Sequence, residues 1–400
     1  MDRPLLAAFC AAQLLGMTNY AGVAANLPEF IAVWNLSHAQ AGWISGIFFA
    51  GYTAVVPFLV SLTDRVDPRR VYLASTAITV VSTLAFALIA DGFWTALVCR
   101  ALGGVGLAGT YMPGLKALTD RAADDQRARI SGIYTATYSA AASVSFVFIG
   151  VFDVLFGWRW AFGLSGMGAA LAFVLVAWVL PPTPPKPAPP SSLWNVLDFR
   201  PELRNVPALG FMLGYLAVVW VISANRAWMV AFLEQAIALQ PAGATVIGAV
   251  TCAAVLNLIG PLASVTGNEL AIRHGAVRVI AFFFVISAVG AVVFGLLLDA
   301  PYLVLLAVGL IYTAVIGANG SSVTAGTVQV AVPARRGATM ALHSCLGFLG
   351  GFLGPLVFGY VLDGAGGGMD AWGYAFASSA AICLAGAAVV AWLARDFRQA

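Results

Sequence analysis

The charged sequence TDRVDPRR, at residues 63–70, separates two apolar runs of about 20 residues each. A helix of about 20 apolar residues is long enough to cross the hydrocarbon core of a bilayer. Arg65, Arg69 and Arg70 indicate that this turn lies on the cytoplasmic side, because Lys and Arg in short loops resist translocation. The stretch therefore predicts a multi-pass membrane protein in which the turn at residues 63–70 is cytoplasmic.

A related stretch, IRHGAVR at residues 272–278, follows about 208 residues later. Aligning the two stretches pairs Arg65 with Arg273, and it also pairs the later arginines Arg70 and Arg278. Each stretch lies between long apolar runs. Two halves built alike are typical of secondary transporters, whose substrate site lies where the halves meet. The internal repeat therefore predicts two similar helical bundles.

The region between the two halves is rich in proline. PPTPPKPAPP, at residues 181–190, is unable to form a helix or a core and predicts an extended spacer. LWNVLDF, at residues 193–199, predicts a short amphipathic helix on the inner surface of the membrane. We therefore expect an N-terminal bundle at 1–180, a cytoplasmic linker at 181–205 and a C-terminal bundle at 206–400.

The composition excludes an ordinary soluble domain. Hydrophobic residues make up 61% of the 400 residues, charged residues 9%, and the mean hydropathy is +0.92. Roughly 12 runs of membrane length can be marked, which leaves little chain for a soluble domain. The five cysteines lie scattered in apolar runs, without the spacing of a metal site or a disulfide framework. No nucleophile elbow, phosphate loop or nucleic-acid stripe occurs, so we expect no enzyme, no metal and no nucleic-acid partner.

The distribution of charged residues predicts one orientation for the whole chain. Loops on the side of residues 63–70 carry most of the arginines, and the opposite loops carry acids instead. This asymmetry predicts that both termini are cytoplasmic, in a cytoplasmic (inner) membrane. The acids of the opposite loops are Glu29, Asp91, Asp153, Glu234, Asp299, Asp363 and Asp370.

The first apolar run, residues 5–27, predicts a span that is rich in hydrogen-bonding side chains. These side chains are Gln13, Asn19, Tyr20 and Asn26. A lipid-facing helix would not tolerate so many of them, because the hydrocarbon offers no hydrogen-bond partners. We therefore expect this span to line the interior of the protein and residues 28–39 to form an outer loop.

Three further motifs accompany the charged turn: RALGGVG at 100–106, GWRWAF at 157–162 and GGFLGP at 350–355. Together with residues 63–70 they resemble the major facilitator superfamily, although Asp67 stands where the family's loop has a turn Gly. The resemblance implies an all-α integral membrane fold with 12 transmembrane helices in two pseudo-symmetric six-helix bundles. It implies a carrier, but the superfamily carries sugars, drugs, nucleotides, oxyanions and carboxylates, so the fold alone names no cargo.

Two arginines within predicted spans are the main candidates for the substrate site. Arg100 in the fourth span and Arg226 in the seventh have similar predicted depths, and a charge at such depth usually faces a partner or a water-filled path. No Asp or Glu falls near the centre of any predicted span, which favours an anionic substrate gripped by arginine. In relatives the Arg at the position of Arg100 has proton-coupling or structural roles. The alternative for Arg226 is snorkelling or pairing with Glu234.

Other polar and aromatic side chains of the spans are predicted to shape the same substrate site. Any one of them has an alternative role in helix packing. This group consists of Asn19, Tyr20, Tyr111, Tyr138, Trp220, Asn257, Tyr312 and Asn319.

We expect no bound cofactor, but transport coupled to protons or to another ion gradient is consistent with the sequence. His343 is the candidate coupling residue because His titrates in the physiological range, and its alternative role is a hydrogen bond to a neighbouring helix. Charged residues near the two cytoplasmic turns predict a gate that holds the outward-open state. The predicted gating residues are Asp64, Arg65, Arg70, Arg273 and Arg278.

The sequence thus predicts a secondary active transporter that moves a small solute, an organic or inorganic anion, by alternating access. The expected partners are a small-molecule substrate and the lipid bilayer, and the chain is expected to be a monomer. One alternative is multidrug or metabolite efflux by proton antiport, although the fifth span, TATYSAAA at 135–142, lacks the Gly-Pro signature of drug antiporters. A non-transporting membrane receptor or scaffold is the alternative of a different class.

Overall fold

The computed structural model describes residues 3–63, 65–182, 198–241, 245 and 247–395. Within these ranges the regular secondary structure is helical, and no strand is present. A short 3-10 helix at Pro333–Arg335 precedes the last pair of α-helices. The α-helices are α1 (Arg3–Gly16), α2 (Gly22–Ala25), α3 (Leu27–Trp34), α4 (His38–Leu62), α5 (Pro68–Ile89), α6 (Phe93–Thr119), α7 (Asp124–Phe156), α8 (Trp158–Val179), α9 (Arg200–Arg204), α10 (Val206–Ala238), α11 (Ala249–His274), α12 (Ala276–Gly295), α13 (Tyr302–Val330), α14 (Arg336–Gly364) and α15 (Met369–Leu393).

Eleven of the described helices, α4 to α8 and α10 to α15, are long and apolar enough to cross a membrane. α1 is also apolar but has only 14 residues. These helices correspond to the predicted spans, with boundaries set by the charged or Gly- and Pro-rich turns between the apolar runs. The predicted all-α, multi-pass membrane fold is confirmed.

The predicted first span is not a continuous helix. α1 ends at Gly16, a turn follows in which the amide of Tyr20 donates to the carbonyl of Met17, and α2 then begins at Gly22. The amide of Ala21, which the turn leaves without a helical partner, donates to Ser145 Oγ at 3.1 Å. Hydropathy does not detect such a turn, because the residues on both sides of it are equally apolar.

The predicted outer loop at 28–39 is largely helical. Pro28 starts α3 in the first helical turn, where its missing N–H costs no hydrogen bond. Asn35 ends α3 in the left-handed conformation, with φ of 49°, which Asn tolerates better than most residues. The loop prediction was wrong because Leu27, Phe30 and their neighbours bury one face of this segment.

The described chain divides into two compact units, and the first comprises Met1–Ala25 and Ile47–Leu197. Its helices approach closely at small residues: a Cβ atom on Gly104 would overlap the carbonyl oxygen of Phe48. Aromatic rings fill the space between helices, with Phe9 packed edge-on against Tyr72 and Tyr134. Such packing, rather than hydrophobicity, holds helices together in a lipid environment.

The second unit comprises Asn26–Gly46 and Asp198–Ala400, so it includes α3 and the first nine residues of α4. In this unit α14 packs against α10, where Gly350 and Gly354 lie against the carbonyl groups of Leu216 and Trp220. The proposed boundaries of the two bundles at 1–180 and 206–400 stay a prediction.

Within the second unit, the start of α4 is bound to the end of α14. Oδ1 of Asp363 accepts from the amide of His38 at 2.9 Å and lies 2.7 Å from the His38 ring nitrogen, while Oδ2 accepts from the amide of Ala39 at 2.8 Å. Ser37 and Gln40 also exchange reciprocal hydrogen bonds, which form a capping box on α4 itself. The backbone amides at the start of α4 therefore have acceptors from two sources. One is the Asp363 carboxylate of α14, and the other is the pair of side chains Ser37 and Gln40.

At the arginine-rich ends of the helices, several arginines satisfy backbone or carboxylate acceptors. In the second unit Arg335 makes a two-pronged ion pair with the buried carboxylate of Glu202 in α9, at 2.6 and 3.0 Å. This hydrogen bonding raises the pKa of Arg335. Arg335 also donates to the backbone of Asp198 at 3.0 Å. α9 begins at Arg200, and the helix predicted at 193–199 stays a prediction because residues 193–197 lie outside the described ranges.

The predicted gating residues are only partly described. Asp64 lies outside the described residues. Arg273 forms an ion pair with Glu269 on its own helix, with 2.7 Å between Nη2 and Oε1. Arg65, Arg70 and Arg278 lie at the predicted turns, and the gating role of this group stays a prediction.

Candidate functional site

The first unit contains a cavity bordered by α1, the turn after it, and helices α4 to α8. The volume open to the centres of water-sized spheres is about 50 Å³, which is room for a few water molecules. Most of its polar wall comes from α1, α5 and α6. The lining residues are Ala12, Gln13, Gly16, Met17, Asn19, Tyr20, Phe48, Tyr72, Thr76, Thr79, Ser82, Thr83, Phe86, Cys99, Arg100, Gly103, Leu107, Thr110, Tyr111, Tyr134 and Ala172.

Arg100 is the charged residue of this wall. Its side chain is buried, with 6% of the residue exposed, and its guanidinium carbon lies 4.5 Å from the centre of the Phe48 ring. Nε has no hydrogen-bond partner among the described residues. A buried guanidinium keeps its charge, so a ring face alone compensates it poorly. The position is therefore well suited to bind an acceptor from outside the protein.

Two amide side chains of the same wall also have unpartnered atoms. Neither Oε1 nor Nε2 of Gln13 has a hydrogen-bond partner within the described part of the chain, and the same holds for Oδ1 of Asn19. Gln13 is 6% exposed, so water satisfies these atoms only where the cavity admits it. Burying polar atoms without partners is unfavourable by about 1–3 kcal/mol each, which makes them strong candidates for ligand contacts.

Residues of α5 with hydroxyl groups also line the cavity. Thr76 donates to the carbonyl of Tyr72 at 2.8 Å, and Thr79 donates to the carbonyl of Ser75 at 3.1 Å. Ser82 donates to the carbonyl of Thr79 at 3.0 Å. A hydroxyl has one proton, so these three groups offer only oxygen lone pairs to further partners. The lining thus combines a cationic donor with a row of acceptors.

The predicted aromatic site residues of the first unit cluster beside the cavity. Tyr20 and Tyr111 line it, and Tyr138 packs against both, with ring centres 6.1 and 4.7 Å away. The hydroxyl of Tyr111 donates to Thr135 Oγ1 at 3.3 Å. No Asp or Glu occurs among the described residues that line the cavity. The site can therefore hold a negative charge without repulsion from its own wall.

Arg226 lies in the second unit and has a specific protein partner. Its Nε donates to Oδ1 of Asn257 at 3.0 Å, and the amide nitrogen of Asn257 donates to the carbonyl of Ala253 at 2.8 Å. Asn257 therefore orients Arg226, and its role as a substrate ligand stays a prediction. Because Arg100 and Arg226 belong to different units, the predicted clamp between them stays a prediction.

The other candidates of the second unit are part of its packing. Trp220 contributes a backbone carbonyl to the contact with Gly354 in α14. Tyr312 is buried beside Phe294, with ring centres 5.6 Å apart. Asn319 donates to the carbonyl of Ile280 at 3.3 Å. Their roles as substrate ligands stay predictions.

His343 is buried in the second unit, and both of its ring nitrogens have hydrogen-bond partners. Nε2 lies 3.2 Å from the hydroxyl of Thr324, and Nδ1 lies 3.0 Å from the hydroxyl of Thr327. The ring stacks on Tyr215, with centres 3.9 Å apart. This is the hydrogen-bonded arrangement that the sequence offered as the alternative, and a coupling role for His343 stays a prediction.

The family model described as Major Facilitator Superfamily matches residues 9–272. The chain belongs to the major facilitator superfamily. Its curated relatives include human protein spinster homolog 1, with 27% identity over 243 residues, which are 57% of this chain and 45% of that protein. A D-xylose transporter of Levilactobacillus brevis is 28% identical over 153 residues, or 38% of this chain and 33% of that protein. The chain thus spans less than half the length of these relatives.

The superfamily fold extends over the whole chain. A bacterial homolog of the human lysosomal transporter Spinster, in an inward-facing and unoccupied conformation, matches with a TM-score of 0.73 and 16% identity. The match covers 99% of this chain and 96% of that one. The fold and the relatives are those of transporters and not of enzymes, as the sequence predicted.

Several residues of this superfamily member's cavity were missed as site residues. Gln13 was noted only as an interior polar residue, and Thr76, Thr79 and Ser82 were not singled out. Their spacing of three residues places them on one face of α5, which is a usable sequence signal. The signal is weak because Ser and Thr also join helices in membranes by hydrogen bonds.

Proposed function

We propose that the chain is a secondary transporter that moves a small organic or inorganic anion across a membrane by alternating access. The observation that carries this proposal is the buried Arg100, which faces a cavity without an acidic side chain among its described lining residues. An anion would give the guanidinium the charge-assisted hydrogen bonds that its own unit does not supply.

The energetic gain from such an anion is large enough to drive a change between conformations. A hydrogen bond to a charged group contributes about 1.5–3 kcal/mol. Conformational change requires that the ligand bind one state better than another, and contacts of Arg100 that form in only one state meet this requirement. Binding at Arg100 would therefore couple occupancy to transport.

The membrane context of the proposal follows from the distribution of charge. The arginine-rich turns support a topology in which both termini are cytoplasmic, and the cytoplasmic (inner) membrane is the proposed location. The chain acts as a monomer in this proposal. Coupling to a proton or another ion gradient would drive accumulation, with His343 as the candidate proton-binding group.

The proposal is tested by measuring ligand-induced stabilisation of the purified protein with a panel of small anions, neutral solutes and cations. A ligand that binds the folded state raises its melting temperature. Arg100→Gln should weaken binding of the best anion by about 10- to 100-fold, since it loses about 1.4–2.8 kcal/mol. Arg129→Gln, which alters an exposed arginine of α7, is the matched control and should bind normally.

Transport is then measured in proteoliposomes with the best labelled ligand. Uptake that depends on Arg100 supports the proposal and separates a transporter from a receptor or scaffold. Unchanged anion affinity in Arg100→Gln would contradict the role of Arg100. A cationic or drug-like best ligand would favour the efflux alternative instead.

A neutral sugar is the second candidate substrate, and the acceptor oxygens of α5 favour it. Thr76, Thr79 and Ser82 would receive hydrogen bonds from sugar hydroxyls. The relative named as a D-xylose transporter is consistent with this candidate. A sugar leaves the charge of Arg100 uncompensated, so the anion remains the first proposal.

A further inference from the structure

Arg100 on α6 and three hydroxyl groups on α5 make different hydrogen-bonding contributions to the cavity in the first unit. Arg100 on α6 is a donor only, since a guanidinium has no lone pair to offer. The hydroxyl oxygens of Thr76, Thr79 and Ser82 on α5 are acceptors only, because each proton is already donated to a backbone carbonyl. A ligand that satisfies both walls must carry an anionic group and separate hydrogen-bond donors.

Two amide side chains extend this pattern at the end of α1. Oδ1 of Asn19 is a further acceptor without a partner among the described residues, and the Gln13 amide offers one acceptor and a donor group. The cavity therefore offers several acceptor oxygens besides the cationic donor of Arg100. A simple inorganic anion would fill the site of Arg100 but leave the other acceptors unsatisfied.

We infer that the substrate is a short hydroxy carboxylate, whose carboxylate binds Arg100 and whose hydroxyl groups donate to the acceptor oxygens of α5 and α1. The inference rests on the proposed function, because it assigns the anion of that proposal to a chemical class. A carboxylate matches the planar fork of arginine in a two-pronged geometry. Hydroxyl groups bound to carbon supply the donors without adding a second charge.

The size of the cavity selects short members of this class. About 50 Å³ is open to the centres of water-sized spheres, so a chain of a few carbon atoms is the best match. The wall also contains apolar side chains, among them Phe48, Phe86 and Leu107. A second anionic group would meet this apolar surface and be poorly solvated.

The test compares three ligands with three carbons each. Glycerate carries a carboxylate and two hydroxyl groups, propionate carries only the carboxylate, and glycerol carries only hydroxyl groups. A site built to receive hydroxyl protons discriminates strongly against an analogue that lacks them, because buried acceptors stay unpaired. Glycerate should therefore bind the purified full-length protein at least about tenfold more tightly than propionate, measured by calorimetry. Glycerol should bind more weakly than either acid.

Variants assign the discrimination to α5. Thr79→Val removes one acceptor with little change of shape, so glycerate affinity should fall by about fivefold while propionate affinity stays the same. Ser82→Ala should have a similar effect. Thr266→Val is the matched control, because its hydroxyl donates to carbonyls of its own helix in the second unit and Thr266 is not a lining residue of this cavity.

The outcomes separate the inference from the proposed function. Propionate binding as tightly as glycerate, with no effect of Thr79→Val, would overturn the hydroxy-carboxylate class and leave the anion proposal intact. Glycerol binding as tightly as glycerate, with no effect of Arg100→Gln, would overturn the anion proposal itself. Gluconate, with six carbons, should bind more weakly than glycerate because the cavity is small. Failure of glycerate to bind would also overturn the inference.

Discussion

Arg100 and Arg226 are both arginines inside membrane-length helices, but their surroundings differ. Arg226 in α10 donates through Nε to Asn257 of α11, and Asn257 is itself fixed by the carbonyl of Ala253. Nε of Arg100 in α6 has no such acceptor in the described part of the protein and rests over the ring of Phe48. Arg226 is thus hydrogen-bonded within its own unit, whereas Arg100 presents its donors to a cavity.

This difference shows that depth in the membrane does not by itself define a binding residue. A buried charge that has protein partners stabilises a local arrangement, and removing the partner is costly. A buried charge without protein partners lowers stability unless a ligand supplies the acceptor. We therefore expect opposite effects on stability when an apolar side chain replaces Arg100 and when one replaces Asn257, the partner of Arg226.

The largest effect is expected for Arg100→Met. This variant should lose anion binding, yet the ligand-free protein should gain about 1–4 kcal/mol of stability, because a buried charge is replaced by an apolar side chain. The melting temperature in detergent, without added anion, measures the gain. Arg129→Met, at an exposed position of α7, should leave both properties unchanged. A lower melting temperature for Arg100→Met would show that Arg100 is structural.

Asn257→Leu should have the opposite effect in the second unit. It removes the acceptor of Nε in the half-buried Arg226, which should lower stability by about 1–3 kcal/mol. Asn19→Leu is the control of similar volume change, since Oδ1 of Asn19 has no partner among the described residues. Equal melting temperatures for the two variants would mean that Asn257 does not hold Arg226 in place.

A smaller effect is expected at His343, which like Arg226 has hydrogen-bond partners within its own unit. Thr327→Val removes one of its two hydroxyl partners and should lower stability by about 1 kcal/mol. Thr313→Val is the control, because Oγ1 of Thr313 is buried without a partner in the described ranges. That control should be neutral or slightly stabilising. A neutral Thr327→Val would indicate that the imidazole finds another partner.

The smallest effect is expected for Asp363→Asn at the start of α4. The amide side chain retains one acceptor oxygen and loses the charge, so stability should fall by about 0.5–1 kcal/mol. Asp370→Asn, which changes an exposed carboxylate in the first turn of α15, should have no effect on the melting temperature. If Asp363→Asn lowered the melting temperature as much as Asn257→Leu, Asp363 would stabilise more than the start of α4.

The long spans could be predicted from the sequence because apolar runs and charged turns mark their ends. The run predicted at 94–118, for example, is α6 at Phe93–Thr119. The turn within the first span, near Tyr20, was not predicted, and there the amide of Ala21 donates to the distant Ser145. A partner more than a hundred residues away leaves no trace in local composition.

The candidate site could be predicted only in part for a similar reason. Arg100 was identified because a charge is costly at any depth in a membrane. Asn257 was predicted as a substrate ligand, since nothing in the sequence shows that it faces Arg226. Thr79 and Ser82 were missed because periodicity shows that they share a face of α5 but not what that face meets.

The contact between α4 and α14 in the second unit combines close glycine–backbone packing with one specific polar contact. Gly42 and Gly46 of α4 lie against the carbonyl groups of Pro355 and Phe352, so no side chain interlocks at these two positions. The carboxylate of Asp363 meets the amides of His38 and Ala39 in one register only. A helix cap of this kind favours that register by about 0.5–2 kcal/mol, a margin that thermal motion or a bound ligand can overcome.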